Sequence, residues 1–279
     1  MSNIHLKMDK LSDLTGKVAL ITGGGTGIGF MMAKGLAANG AKVYITGRRF
    51  EVLQKAAEQN LQMDVTVKES ILSIVQKIKE SDGKLDVLIN NAATDGPRLR
   101  TSFNSEDASQ NQSISAYGRE LFDIQSFEDW GSLAQTNVAS YFFVTMAFLD
   151  LLVETSIINI TSGAGQTKLP FGYYAYASLK AGTAHLTRLL ATDLALKRAP
   201  IRVNAIAPGV FPSQLNHCSL EELEEYTKTP MVCLQPIPLR RPGREHEIAS
   251  LAVYLASPAS SYLHGQEINI DGGLLIVNP

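Results

Sequence analysis

Tyr176 and Lys180 are the pair of residues in this sequence whose types and spacing best suit proton transfer. They stand four positions apart early in a predicted helix, so their side chains share one face. A free tyrosine has a pKa of about 10, and a nearby ammonium group favours the phenolate and lowers that pKa. Tyr176 could then protonate a carbonyl oxygen or accept the proton of an alcohol. Tyr173 and Tyr174 have no lysine four residues later and are expected in the pocket wall or the core.

A serine at the end of a predicted strand precedes this pair. Ser162 closes the run IINITS, fourteen residues before Tyr176, where its hydroxyl could hold a substrate oxygen and stabilise developing charge. Thr161 is the less favoured alternative. A YxxxK string alone is common on helix surfaces, whereas its coincidence with an upstream serine at a strand end is much rarer. The three groups therefore predict acid and base chemistry on a carbonyl or alcohol.

A glycine-rich turn follows the first predicted strand and opens directly into a helix. It reads Thr22-Gly23-Gly24-Gly25-Thr26-Gly27-Ile28-Gly29. Glycines let the backbone approach a pyrophosphate, and the helix behind them offers free N–H groups and the positive end of its dipole. The order of strand, turn and helix favours a dinucleotide site over an ordinary tight turn.

The second predicted strand ends in Ile45-Thr46-Gly47-Arg48-Arg49. An NAD-specific site normally has a carboxylate here for the ribose hydroxyls, and that carboxylate would repel a 2′-phosphate. None is present, and Arg48 with Arg49 beside it can pair with the phosphate through charge-assisted hydrogen bonds. The segment therefore favours NADP(H). The alternative, that both arginines are solvated side chains at a helix start, stays open.

The elements that must position these residues alternate between short apolar runs and longer amphipathic stretches. The apolar runs are KVALIT, AKVYITG, LDVLIN, SIINITS, IRVNAIAPG and QEINIDGG. The helices include long ones at about 126–153 and 173–197 and a last one near 245–256. Such alternation predicts an α/β, doubly wound Rossmann fold with about seven parallel strands and helices on both faces. Ligands should gather beyond the carboxyl ends of the strands.

Two polar segments interrupt this alternation within what we expect to be a single NAD(P)-binding domain spanning residues 1–279. Residues 94–125 have weak periodicity and are interpreted as an insertion, and residues 212–243 are rich in proline and are interpreted as a loop that covers the substrate. The acidic stretch SLEELEEY lies in the second segment. Its glutamates are expected on the solvent face of a short lid helix: Glu221, Glu222, Glu224 and Glu225.

Four motifs, in this order, resemble the short-chain dehydrogenase/reductase family in its compact single-domain branch. They are the TGxxxGxG turn at 22–29, the NNAA run at 90–93, YASLK at 176–180 and PGVFPS at 208–213. Matches extend from Lys17 to Gly273. The chain departs from the family pattern in having Ala93 for glycine, Ser213 for threonine and Thr26 where a basic residue is frequent.

The resemblance implies NADP(H) as cofactor and assigns roles to individual residues. The implied catalytic residues are Asn137, Ser162, Tyr176 and Lys180, with Asn137 keeping a water that relays protons to the lysine. Besides Tyr176 and Lys180, the implied cofactor-binding residues are Gly23, Gly25, Thr26, Gly27, Ile28, Gly29, Arg48, Arg49, Asp64, Val65, Asn91, Ala92, Pro208, Gly209, Val210 and Ser213. Asp64 would contact the adenine, Ser213 would reach the nicotinamide carboxamide, and Asp271-Gly272-Gly273 would be structural.

The function that follows is an NADPH-dependent carbonyl reductase acting on a ketone or aldehyde, with 3-oxoacyl and polyketide-like ketones as the class that the resemblance favours. One alternative is an alcohol dehydrogenase using NAD(P) or a non-redox enzyme of the same family. A second is a cofactor-binding protein without turnover, although such proteins usually lack the tyrosine or lysine. Candidate substrate contacts are Phe171, Tyr174, Phe211 and Leu215.

Composition argues against nucleic-acid and membrane partners, so the small-molecule carbonyl or alcohol that the motifs imply remains the expected partner. A net charge of -2 over 279 residues gives no basic face for nucleic acid or a membrane surface. The N-terminus has no signal-peptide core and no apolar run could span a bilayer, so a cytoplasmic protein is expected. Cys218 and Cys233 are expected as plain thiols, and the five histidines have no metal-ligand spacing. The resemblance implies a homotetramer or homodimer assembled through the two long helices, those predicted at about 126–153 and 173–197.

Overall fold

The fold is built on a twisted parallel sheet. The structure is a computed structural model that describes residues 6–57, 59–97, 113–169, 172–229 and 235–278. The strands are β1 Val18–Thr22, β2 Lys42–Gly47, β3 Asn60–Gln62, β4 Leu85–Asn90, β5 Leu152–Ile160, β6 Arg202–Pro208 and β7 Glu267–Ile270. All seven pair in parallel, in the order β3-β2-β1-β4-β5-β6-β7. The chain reverses its direction of growth between β1 and β4, which is where such sheets bind their ligands.

Helices cover both faces of this sheet. They are α1 Met8–Leu11, α2 Gly27–Ala38, α3 Phe50–Ala56, α4 Lys68–Ser81, α5 Ile114–Ile124, α6 Phe127–Ala134, α7 Ser140–Phe148, α8 Tyr174–Leu196, α9 Leu220–Lys228, α10 Glu245–Ala256 and α11 Leu274–Val277. Within the described ranges no helix is both long and apolar enough to cross a membrane.

The inner strands β1, β4 and β6 are buried along nearly their whole length, so their sequences are almost continuously apolar rather than alternating. In β1, Ala19 and Ile21 join the core under α2 and α10, whereas Val18 and Leu20 join the core under α4, α7 and α8. All four side chains are at most 5% exposed. Burying each larger aliphatic side chain contributes about 1.5–3 kcal/mol, and these two layers hold the strand ends in fixed positions.

The α/β doubly wound prediction is confirmed, but the long helix predicted over residues 126–153 was wrong at its end. The helix passes from α6 through a π-helical turn at Gln135–Ala139 into α7, which stops at Phe148. After a short 3₁₀ turn, Leu152 already pairs with Leu85 in the sheet. The run FLDLLV is apolar apart from Asp150 and contains no glycine or proline, so its sequence does not mark where helix gives way to strand.

The segment at 94–125 contains a helix that its weak periodicity did not predict. Ser113 caps α5 by accepting a hydrogen bond from the backbone N–H of Ala116 at 3.2 Å. None of the helix is buried. Residues 98–112 of the interpreted insertion and 230–234 of the interpreted cover lie outside the described residues. The short lid helix expected around SLEELEEY is present as α9, and its four glutamates are exposed.

Candidate active site

A cavity of about 660 Å³ opens at the carboxyl edge of the sheet, where β1, β2, β4, β5 and β6 end. It brings together Ser162, Tyr176, Lys180 and every residue that the sequence implied for cofactor binding. Asn137 does not line it, although the neighbouring Thr136 does. Residues scattered from position 23 to position 213 therefore face one space because parallel strands end at a common edge.

The glycine-rich turn and the NNAA run are tied together by hydrogen bonds. Thr22 Oγ1 accepts from the backbone N–H groups of Asn91 at 2.9 Å and Ala92 at 3.0 Å. The Asn91 side-chain amide donates back to the carbonyls of Thr22 at 2.9 Å and Gly23 at 3.0 Å. These four bonds fix the turn against the end of β4.

The approach of these two segments explains the glycine at position 29. A Cβ at Gly29 would overlap the Asn91 amide and would stand 2.5 Å from the carbonyl oxygen of Gly23. Gly23 itself has a φ of +64°, a conformation that side-chain-bearing residues rarely adopt. The cap residue of α2, Thr26, makes no side-chain cap hydrogen bond to the helix. The turn thus presents backbone and the N-terminus of α2 to the cavity, as a pyrophosphate requires.

The two arginines after β2 are exposed and line one end of the cavity, beside Asp64. Arg49 donates a 2.8 Å hydrogen bond to Gln214. Gln214 belongs to the segment 212–243 that is interpreted as a substrate cover, called the lid segment below. Among the described residues no side-chain hydrogen bond or ion pair engages the guanidinium of Arg48. Hydrogen bonds from Thr66 lower the pKa of Asp64, and the positive charge of Arg48 lowers it further, opposed by partial burial. A carboxylate and a free guanidinium therefore stand side by side at this end.

Ser162 is held next to α8 by the turn that follows β5. Its Oγ accepts from the backbone N–H of Ala164 at 3.1 Å, which caps the 3₁₀ turn Gly163–Gly165. A Cβ at Gly165 would lie 2.7 Å from the backbone nitrogen of Ala181, so this turn packs directly on the helix backbone. The alternative Thr161 is 2% exposed and donates to the carbonyl of Ile206 at 3.1 Å. The Thr161 hydroxyl is therefore engaged inside the sheet, so Ser162 is the better placed of the two hydroxyl groups to meet a substrate oxygen.

Tyr176 and Lys180 share one face of α8, as their spacing predicted. Lys180 is 1% exposed, and its Nζ donates to the carbonyl of Ile160 at 2.7 Å and stands 5.7 Å from the Tyr176 ring centroid. Tyr141 donates to the same carbonyl at 3.1 Å. The lysine is thus locked to the end of β5.

The pKa values differ from the expectation that the lysine would lower that of Tyr176. Burial raises the pKa of Tyr176 to about 12, with Ser162 lowering it and the charge of Asp95 raising it. Burial also lowers the pKa of Lys180 to about 7. Desolvation penalises the charged form of each group and is the main cause of both shifts in pKa.

Asn137 lies in the π-helical turn and is fully buried. Its side chain accepts from the N–H of Thr94 at 2.9 Å and donates to the Thr94 carbonyl at 2.8 Å. Its own backbone carbonyl accepts from Thr183 of α8 at 2.8 Å. The side chain therefore anchors the turn after β4, and π turns of this kind are frequent at functional sites.

The segment after β6 forms the wall beneath the lid. Gly209 donates to the carbonyl of Ile270 at 3.0 Å, and a Cβ there would stand 2.7 Å from the Cα of Asp271. Ser213 comes close to the start of α2, with its Cβ 3.2 Å from where a Cβ of Gly27 would be. The Asp271 carboxylate accepts from the backbone N–H groups of Gly273 and Leu275, both at 2.9 Å. It therefore braces the C-terminal turn.

The candidate substrate contacts have mixed outcomes. Phe211 and Leu215 line the cavity, whereas Phe171 lies outside the described residues. The prediction that Tyr174 contacts the substrate was wrong, because Tyr174 does not line the cavity and its hydroxyl is 2.9 Å from that of Tyr117 on α5. Tyr173 lines the cavity instead. Tyr173 is the cap residue before α8 and Tyr174 is the first residue of that helix. Successive side chains at a helix are about 100° apart around its axis, so the two tyrosines point in different directions.

Two residues that sequence reasoning missed also line the cavity, Asp95 and His217. Asp95 follows the NNAA run by two positions, and His217 is one of the five histidines without metal-ligand spacing. Their side chains meet, with His217 Nε2 2.9 Å from Asp95 Oδ2. They are 122 residues apart in the chain, so no local spacing could signal the pair. The described residues include no cluster of three or more His, Cys, Asp or Glu side chains able to hold a metal ion.

Comparison with known proteins agrees with this geometry. The family model described as "Enoyl-(Acyl carrier protein) reductase" matches residues 23–275. Short-chain dehydrogenase/reductase VdtF of Byssochlamys spectabilis is 34% identical, with 100% of this chain and 99% of that protein covered. The 3-oxoacyl-[acyl-carrier-protein] reductase FabG of Thermotoga maritima is 34% identical, with 94% and 99% covered.

A solved structure shows the same architecture. The Pseudomonas aeruginosa RhlG/NADP active-site complex superposes with a TM-score of 0.75 at 30% identity, covering 95% of this chain and 98% of that one.

Proposed function

The chain belongs to the short-chain dehydrogenase/reductase family, and we propose that it is an NADPH-dependent carbonyl reductase in which Tyr176 protonates the substrate oxygen. The observation that carries this proposal is the single cavity, which has the glycine-rich turn and Arg48 at one end and Ser162, Tyr176 and Lys180 at the other. Cofactor and substrate would meet there, above the carboxyl ends of β4 and β5.

The residues present fit a nicotinamide dinucleotide. The pyrophosphate would lie against the backbone of the turn at Gly23 to Gly29, whose glycines line the cavity without side chains to obstruct it. Asp64 and Val65 would flank the adenine, and Asn91 and Ala92 the adjoining ribose. Pro208, Gly209, Val210 and Ser213 would border the nicotinamide, with the hydroxyl of Ser213 available to its carboxamide.

Arg48 supports NADPH rather than NADH. Its guanidinium is exposed at the end of β2 and would form charge-assisted bonds with a 2′-phosphate. The relative RhlG was solved as a complex with NADP, which supports the same choice. Asp64 is the nearby carboxylate, and it lies after β3 rather than at the end of β2.

The bound cofactor would supply hydride to the carbonyl carbon, and the chain's own residues would bind and protonate the carbonyl oxygen. Ser162 would donate a hydrogen bond to the carbonyl oxygen and stabilise the charge that develops on it. Tyr176, whose pKa of about 12 keeps it protonated at neutral pH, would give that oxygen its proton. Lys180 would remain bound to the carbonyl of Ile160. It would receive protons relayed by a water that Asn137 keeps, as the resemblance implies.

The substrate class we propose is a ketone with an apolar body, of the 3-oxoacyl or polyketide-like kind. The FabG relative is named for 3-oxoacyl groups, which supports the first of these. The substrate end of the cavity is walled by apolar side chains: Phe211, Leu215, Leu274 and Leu275. We also propose that the chain works as a homodimer or homotetramer, because α7 and α8 expose apolar side chains.

The proposal is tested by titrating the purified protein with NADPH and NADH while following cofactor fluorescence. We expect tighter binding of NADPH, with Arg48→Ala weakening NADPH at least about tenfold and leaving NADH nearly unchanged, since only the 2′-phosphate contact is lost. Lys55→Ala, an exposed cation on α3 that does not line the cavity, is the matched control and should change neither. Equal affinity of the wild type for both cofactors would contradict the NADPH assignment, and binding of neither would contradict the function.

A further inference from the structure

The substrate end of the cavity contains a carboxylate that the proposed reaction does not use. Asp95 lies on the turn after β4 and lines the cavity together with Ser162 and Tyr176. Its side chain keeps 20% of its surface exposed, so the carboxylate can be reached from the cavity. A partly buried charge on the wall of a cavity has a strong influence on which ligands can enter.

The turn that bears Asp95 is fixed on both sides. Before it, the Asn137 side chain holds both the N–H and the carbonyl of Thr94. After it, Gly96 has a φ of +68°, and a Cβ there would collide with the side chain of Leu133. The position of the carboxylate is therefore set by the fold and not by a mobile loop.

His217 reaches the carboxylate from the opposite wall. It ends the 3₁₀ turn Gln214–Asn216 in a left-handed conformation, with φ 52° and ψ 31°, and its Nε2 lies 2.9 Å from Asp95 Oδ2. The preceding Asn216 donates to the carbonyl of Phe211 at 2.5 Å, which holds the lid segment down. The contact therefore joins the lid to the turn after β4 and fixes the direction of the carboxylate.

The charges that line the cavity fall into two groups. Arg48, Arg49 and Asp64 stand at the end formed by β2 and β3, where the cofactor phosphate would lie. At the substrate end stand Asp95, His217 and Lys180, and Lys180 is 1% exposed with its Nζ on Ile160. Among the described residues that line the cavity, an anionic group entering the substrate end would thus meet a carboxylate and no exposed arginine or lysine.

Asp95 is also close enough to the reacting groups for its charge to be felt there. After burial, which is the main cause, the charge of Asp95 contributes to the raised pKa of Tyr176. The proton donor and the carboxylate therefore share one electrostatic environment, and a substrate oxygen held by Tyr176 would lie in the same field.

We propose that Asp95 is a specificity-determining residue, which accepts a hydrogen bond from a hydroxyl group near the reacting carbonyl and repels a carboxylate in that place. His217 orients it and is a positioning residue. The inference rests on the proposed reductase function and names its preferred substrates, which are neutral hydroxyl-bearing ketones. A site that contains a hydrogen-bonding group discriminates strongly against analogues that leave that group unpaired.

Three ketones that share the frame CH₃–CO–CH₂–X test this selection. They are 4-hydroxybutan-2-one, 4-methoxybutan-2-one and 3-oxobutanoate, and kcat/KM with NADPH is measured for each. We expect the wild type to prefer the hydroxyl compound over the methoxy compound and to discriminate most against the anion. Asp95→Asn should raise the ratio of anion to methoxy activity by at least about tenfold, because the charge is lost while the size is kept.

Two further variants separate charge from structure. Glu221→Gln removes one negative charge from the exposed face of α9, outside the cavity, and should leave all three ratios unchanged. His217→Ala keeps the carboxylate but releases its orientation, so we expect the preference for hydroxyl over methoxy to fall while the anion stays disfavoured. A purely structural role of Asp95 would lower all three activities by the same factor.

The outcomes distinguish this inference from the proposed function. If NADPH reduces the ketones and Asp95→Asn leaves the three ratios as in the wild type, Asp95 does not select substrates and the reductase function stands. If the wild type neither binds NADPH nor reduces any of the three, both proposals fail together.

Discussion

Tyr176 and Lys180 show how little of a catalytic pair is contained in its spacing. Four residues on one helix put the two side chains on a common face, but burial determines their protonation. The phenol, with a pKa of about 12, stays protonated at neutral pH, and the lysine, with a pKa of about 7, is partly neutral. A protonated phenol is the form that a carbonyl reduction needs.

Replacing this phenol tests its role directly. We expect Tyr176→Phe to lower kcat for ketone reduction by at least about a hundredfold, since general acid catalysis contributes roughly 10²- to 10⁴-fold. The dissociation constant of NADPH should change only a few fold, because the glycine-rich turn is untouched. Steady-state kinetics and fluorescence titration measure the two quantities.

Tyr173→Phe is the matched control for this substitution, because it removes the same hydroxyl from a neighbouring residue that also lines the cavity. It should keep most of the wild-type kcat. If Tyr176→Phe turned over like the wild type, or if the two variants lost activity equally, Tyr176 would not be the acid.

At the same scale, the residues that the sequence predicted are those whose motifs are local. The glycines of the turn at 23–29 and the pair in YASLK are recognisable within eight consecutive positions. Asp95 follows strand β4 and His217 follows strand β6. The two residues meet only because these strands end at the same edge of the sheet. Tyr174 was misassigned for a similar reason, since its contact with Tyr117 depends on a helix that the sequence did not predict.

At the scale of elements, the site depends on how the segment after β5 packs on α8. Gly165 lets the 3₁₀ turn touch the helix backbone, and that contact sets Ser162 beside Tyr176. In Gly165→Ala the added Cβ would meet backbone atoms of Lys180 and Ala181 at 2.7–2.8 Å, so the turn must move away.

We expect Gly165→Ala to lower kcat/KM for ketones by about a hundredfold, because a displacement of the order of 1 Å at a reacting group can cost that much. NADPH affinity should fall much less, since the turn at Gly23 to Gly29 is remote from the change. Gly163→Ala is the matched control in the same turn, where an added Cβ meets its nearest neighbour at an ordinary 3.7 Å. Equal kinetics in the two variants would contradict this account of how Ser162 is positioned.

The boundaries of elements were harder to predict than their order. Strand and helix alternate in the sequence as predicted, because each buried strand is a short apolar run between amphipathic stretches. The stop of α7 at Phe148 could not be predicted from the same signal, since Leu151 and Leu152 are apolar residues that suit a buried helix or a buried strand equally, and both are 3% exposed. Tertiary pairing of Leu152 with Leu85 decides it.

At the scale of the whole molecule, exposed apolar side chains indicate a surface through which the chain could assemble. The layer of α4, α7 and α8 exposes apolar side chains, among them Phe142 at 41%, Phe143 at 39% and Leu189 at 54%. Large exposed apolar groups that cluster on one surface often mark an interface between proteins. A second copy of the chain is the partner that the resemblance to the family implies, with α7 and α8 as the surface that meets.

We therefore expect light scattering after size-exclusion chromatography to give two or four times the mass of one chain. Leu189→Glu should reduce that mass towards a single chain, because a carboxylate would be buried in the interface without a partner. Its stability as a single chain should change little, since the position is already exposed in the chain. Leu220→Glu on α9 makes the same substitution at an equally exposed leucine, 56% against 54%, on a helix outside the layer of α4, α7 and α8. A wild type with the mass of one chain, or a loss of mass in Leu220→Glu but not in Leu189→Glu, would contradict assembly through α8.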